Sequence, residues 1–122
     1  MPRVVAETTR GVSELVRRLR RWTTASWAVP ASAPVVPGLA PPATIPGTAT
    51  RADVTWLAVQ QLADLAATVD RRPRRPVPRL ADHTLPDQLV VVWYDIAHTA
   101  DPVAVAAAQG ILTTLHASLG LR

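Results

Sequence analysis

Leu85-Pro86-Asp87-Gln88-Leu89-Val90-Val91-Val92-Trp93-Tyr94-Asp95-Ile96-Ala97-His98-Thr99 is the stretch on which the fold turns. Its centre, Leu89 to Tyr94, is rich in β-branched and aromatic residues and could be read as a buried strand. The spacing argues otherwise. Leu85, Leu89, Val92, Trp93, Ile96 and Ala100 recur every three or four residues, while Asp87, Gln88, Tyr94, Asp95 and His98 gather on the opposite side. A lone strand here would also find no partner strand elsewhere in the chain. The reading is a helix over 85–99, opened by Thr84 and Asp87 at capping-box spacing.

The segments on either side have the same period. Val5, Val12, Leu15, Val16, Leu19 and Trp22 predict an amphipathic helix over 3–22, with Glu14, Arg17, Arg18, Arg20 and Arg21 on its wet side. Thr50-Arg51-Ala52-Asp53 has the hydroxyl and carboxylate of a second capping box. It opens a helix over 51–70 whose expected stripe is Val54, Ala58, Leu62, Leu65 and Val69. Asp101 before Pro102 is an N-cap followed by a proline at the first helical position, and Gly120 is a stop, so a fourth helix is expected over 102–119. Its apolar face is Ala104, Ala108, Ile111, Leu112, Leu115 and Leu119. Residues 28–50 hold six of the twelve prolines and no charge, and 71–83 hold three prolines among arginines; both read as loops. The expected fold is all-α, an antiparallel four-helix bundle in one domain spanning 1–122.

Composition removes several functions. There is no Cys, hence no thiol nucleophile, disulfide or cysteine metal site. Nor is there Lys, Asn or Phe, while Ala, Arg, Pro and Val abound, as a high-GC genome would produce. The charge of +4 is unevenly spread: residues 1–79 carry twelve Arg against five acids, residues 80–122 one Arg against four Asp. Pro102 to Leu121 is 20 residues without formal charge, long enough for a bilayer. It nevertheless contains Gln109, Thr113, Thr114, His116 and Ser118, and its large aliphatics share one side, so no membrane partner is expected. No leader pattern opens the chain, which makes the cytoplasm the expected compartment.

The candidate sites are few. Asp95 and His98 stand three apart on one helix, which supplies half of a bundle di-metal site and lacks the facing half, so no metal and no cofactor is expected. Arg71, Arg72, Arg74, Arg75 and Arg79 would suit phosphates or an acidic partner, but no aromatic residue is interleaved among them, so nucleic acid is the lesser candidate. Trp27, Trp56 and Leu57 would line a ligand pocket if the proline loop folds over them. Ala107, Gly110, Thr114 and Ser118 form a small-residue face on the last helix, open to close approach by another helix, within the bundle or from a second copy. Ser13, Ser26, Ser32 and Ser118 lack the Gly-flanked elbow of a nucleophile, there is no Gly-rich phosphate loop, and no catalytic residue is assigned. The expected function is non-catalytic, exercised through protein contacts, with self-association as one form.

Leu15, Leu19 and Trp27, then Pro37-Gly38, then Thr50-Arg51-Ala52-Asp53-Val54, follow in an order that resembles the N-terminal part of the DinB and mycothiol-dependent maleylpyruvate isomerase bundles. The resemblance covers under half of the chain. It implies a four-helix bundle binding a divalent metal through a His shortly after the opening of the second helix. Here Leu57 and Ala58 occupy that region, so what it implies is a degenerate bundle retaining a small ligand or metal by other residues. The composition also resembles that of short actinobacterial proteins, a likeness that carries no function with it.

Overall fold

The computed structural model describes residues 2–32 and 49–121. Among these the chain is all-α, with five helices: α1 (Pro2–Leu19), α2 (Thr24–Ala28), α3 (Arg51–Val69), α4 (Leu85–Thr99) and α5 (Pro102–Ser118). A single 3-10 turn, Asp82–Thr84, leads into α4. The only β-type contact among the described residues is an isolated bridge between Pro30 and Thr50.

Residues 85–99 are helical, and the periodicity is why: Leu85, Leu89, Val92, Trp93 and Ile96 are buried while Val91 and Tyr94 face outward. Aliphatic β-branching lowers helix propensity only slightly, and burial of one face outweighs it. The expected box at Thr84 does not form. The Thr84 hydroxyl donates instead to the Ala81 carbonyl at 2.6 Å, and Asp87 reaches across to Arg20 at 2.8 Å. Ala100 ends the stripe exposed, as a left-handed C-cap with φ 53°.

The other two start signals act as expected. Thr50 N–H donates to Asp53 Oδ2 at 2.9 Å and Asp53 N–H to Thr50 Oγ1 at 3.1 Å. Asp101 Oδ1 accepts from the N–H groups of Val103 and Ala104 at 2.9 and 3.1 Å. α1 ends three residues earlier than predicted. Its last turn tightens through Trp22 N–H to the Leu19 carbonyl at 3.0 Å, and α2 then starts from a reciprocal cap between Thr23 and Ser26. That turn lets Trp22 meet Trp27 edge to face, ring centroids 4.9 Å apart.

α4 and α5 each pack against both α1 and α3, and the most extensive contact is α3 with α4. One core takes residues from all five helices, among them Leu19, Trp27, Leu62, Trp93 and Val105. Position between two neighbours rotates α3 away from its expected stripe. Val54, Leu65 and Val69 are only half-buried, and Ala52, Thr55, Val59 and Ala66 join Ala58 and Leu62 inside. Thr55 is tolerated there because its hydroxyl donates to the Arg51 carbonyl at 2.8 Å. At the far end of the core, Ser32 N–H donates to the Ser118 carbonyl and Ala31 N–H to the Ala49 carbonyl, both at 2.8 Å.

Candidate functional site

α5 carries no formal charge over its 17 residues. Its outward face includes Val103, 79% exposed, with Ala107, Gly110 and Thr114 also exposed. Three of the four residues expected on the small-residue face are therefore presented to solvent. Ser118 is not: it is 5% exposed, and its carbonyl accepts the Ser32 N–H. A Cβ added at Gly110 would meet nothing within 4 Å, so no neighbour among the described residues makes use of its small size.

Beside this face α1 and α5 part into an open groove of about 760 Å³, floored by Val12, Leu15, Leu112 and Leu121 and flanked by Gly11 and Ala117. Gly11 likewise has open space where a Cβ would stand. The rim is polar, with Gln109 Nε2 donating to Thr8 Oγ1 at 2.9 Å and the Thr8 hydroxyl donating to the Val4 carbonyl. His116 lies half-buried on the α5 side.

The basic loop is held along α3. Arg71 adopts φ 55° directly after the helix, and Arg72 N–H and Arg71 N–H close onto the carbonyls of Ala67 and Thr68, a Schellman arrangement with arginine in the left-handed position. Arg72 pairs with Asp70 at 3.0 Å and Arg79 with Asp53 at 2.9 Å, while the Arg74 guanidinium donates to the Thr68 hydroxyl at 3.2 Å. Arg79 also stacks over the Trp56 ring, 5.5 Å from its centroid. Arg71 and Arg75 are exposed. The five arginines are thus partly engaged by the chain's own carboxylates. The Thr50 backbone N–H holds the Asp53 carboxyl below its ordinary range; Arg79 adds to this, and partial burial opposes it.

Gln60 lies outside the stripe expected for its helix, and Gln88 is on the expected polar side of 85–99. In the structure both hold the loop's main chain. Gln60 Nε2 donates to the Arg75 carbonyl at 3.1 Å while its Oε1 accepts the Val77 N–H at 2.7 Å, and Gln88 Nε2 donates to the Pro78 carbonyl at 3.2 Å. The signal that would have found them is the polar account of the loop. A proline-rich extended segment has no ladder, so its remaining N–H and carbonyl groups need side chains or water.

The three residues expected to line a pocket have separate partners. Trp27 is 1% exposed against Trp22, with its indole N–H buried and without an acceptor among the described residues. Trp56 donates its indole N–H to the Val77 carbonyl at 3.4 Å, and Leu57 is 42% exposed. Most of the proline loop proposed to cover them, residues 33–48, lies outside the described residues. Asp95 and His98 are exposed and face, with Asp70, Tyr94 and Thr99, a shallow concavity at the end of α4. Among the described residues no group of three or more His, Asp or Glu is placed to share a metal ion, and no helix is long and apolar enough to cross a membrane. Compared with protein families, curated proteins and solved structures, the chain matches none of them.

Proposed function

We propose that the four long helices form an antiparallel four-helix bundle that works without catalysis, through contacts with other protein chains, and that the α5 face is where a second copy of the chain docks. The two-residue connection at Ala100 and Asp101 supports antiparallel α4 and α5, as short connections do in bundles. The observation that carries the functional reading is the outward side of α5: a helix without formal charge, exposed along Val103, Ala107, Gly110 and Thr114 and continuous with an apolar groove against α1. Charge depletion at the centre of a patch is the compositional mark of an interface. A self-complementary dimer needs a ridge and a recess on the same surface, and α5 beside the α1–α5 groove has both.

The mass in solution tests this. Sedimentation and light scattering on the 13.1 kDa chain should give a dimer at micromolar concentration, and Gly110→Arg should return it to monomer by placing a charge in the contact. A chain that stays monomeric at all concentrations, its mass unchanged by Gly110→Arg, removes the proposal. Nucleic acid is the less supported use of the arginines, because Arg72 and Arg79 already answer Asp70 and Asp53.

A further inference from the structure

Between α3 and α4 the chain runs through Arg72-Pro73-Arg74-Arg75-Pro76-Val77-Pro78-Arg79-Leu80 without regular structure. Of these side chains only Val77 is even half-buried. Beside the side-chain contacts of Arg74 and Arg79, the segment is fixed to the helices by bonds to its backbone: two with Gln60, one from the Trp56 indole and one from Gln88. An indole N–H and amide groups aimed at the free carbonyls of an extended, proline-punctuated strand, beside an aromatic face, form the donor set by which grooves read polyproline ligands. The surroundings select for base. Asp53 on α3 takes Arg79, and Arg79 lies over Trp56. The resident segment does not fill the seat completely. Gln88 Oε1 is buried and accepts nothing among the described residues, and the residue whose carbonyl Gln88 holds is a proline with no N–H to offer.

We propose that Trp56, Gln60 and Gln88 form a binding site for an arginine- and proline-rich extended peptide of a partner protein, occupied in the free chain by its own residues 75–79, which the partner displaces. The inference rests on the reading that this protein works through protein contacts, and it concerns a surface other than α5. Backbone recognition makes the site tolerant of sequence, the Asp53 carboxylate and the Trp56 ring make it prefer arginine, and the tethered segment raises the concentration a competitor needs.

The experiment replaces residues 75–79 with Gly and Ser in the full chain, checks helicity by circular dichroism, and titrates in a synthetic peptide of residues 71–80, read by calorimetry. Saturable one-to-one binding is expected, about tenfold weaker after an added Gln60→Ala, which removes two hydrogen bonds, and weaker again with salt. The unaltered chain should need at least about tenfold more peptide. A helical variant that binds no peptide, or binds it equally well with Gln60→Ala, overturns the proposal. Hydrogen exchange on the unaltered chain tests it independently of whether the variant folds. The Val77 N–H must exchange by local opening, faster than that of Leu62 in the core; exchange of Val77 only with global unfolding overturns displacement. The mass measurements on α5 decide the dimer separately, so either proposal can fail alone.

Discussion

Replacing Gly110 by alanine separates what α5 does for the fold from what it does for association. Gly110 sits in the middle of Pro102–Ser118, where glycine costs about 0.8–1.0 kcal/mol relative to alanine, mostly through the freedom it gives the unfolded chain. The new methyl meets nothing within 4 Å, so no steric term offsets the gain, and it stays exposed, so burial adds little. Gly110→Ala should therefore raise monomer stability by nearly the full propensity difference, a rise in Tm of about 3–5 °C for a chain of this length. Gly11→Ala is the internal comparison, since it too is mid-helix with open space around the added carbon. Self-association should move the other way. A methyl forced into a close helix contact costs about 1–3 kcal/mol, or about 5- to 150-fold in the dimer constant. Urea unfolding over a range of protein concentrations, paired with sedimentation equilibrium, reads both quantities, because dimer formation makes apparent stability depend on concentration. A dimeric chain whose association is untouched by Gly110→Ala would refute the placement of the interface. A substitution that gives no stability would refute the helix-propensity argument.

The carboxyl of Asp53 titrates below the ordinary carboxylate range in the folded chain, so its stabilising effect is complete above that range and is lost as the pH falls through the folded value; Asp53→Asn should remove this part of the acid dependence in pH-resolved unfolding. Arg71→Gly and Ala100→Gly relieve left-handed conformations at φ 55° and 53° and should each add about 0.5–1 kcal/mol in denaturant titration. Trp93 Nε1 donates to Thr9 Oγ1 at 3.0 Å whereas the Trp27 N–H has no acceptor among the described residues, so Trp93→Phe should cost about 1 kcal/mol more than Trp27→Phe in paired urea titrations.

What the sequence revealed was whatever repeats or caps locally. The α4 stripe and the starts of α3 and α5 are written within a few neighbouring positions, and each forms. α2 escaped notice because five residues are too few to show a period, and its cap uses Ser26 where Glu or Gln is the usual partner. The inward face of α3 escaped because Ala52, Thr55 and Ala66 carry little hydrophobic weight, although their small size suits a helix packed on two sides. The loop clamp was illegible for another reason. Gln60 meets Arg75 and Val77 fifteen and seventeen positions away, and nothing in a glutamine says which backbone it will hold. The α5 face was legible as small residues, except at Ser118, which is buried and whose carbonyl is bonded to a residue more than eighty positions earlier.

The bond from Ala31 N–H to the Ala49 carbonyl brings two positions distant in sequence side by side, between the end of α2 and the start of α3. Closing a longer or shorter span across that point changes its entropy only logarithmically, by about 0.6 kcal/mol for each doubling. The closure entropy of the Ala31–Ala49 pairing is therefore only weakly sensitive to how many residues separate the two positions. A reporter domain with neighbouring termini, inserted after Ser32, would have its two ends brought together by the bonds that Ala31 and Ser32 already make to Ala49 and Ser118.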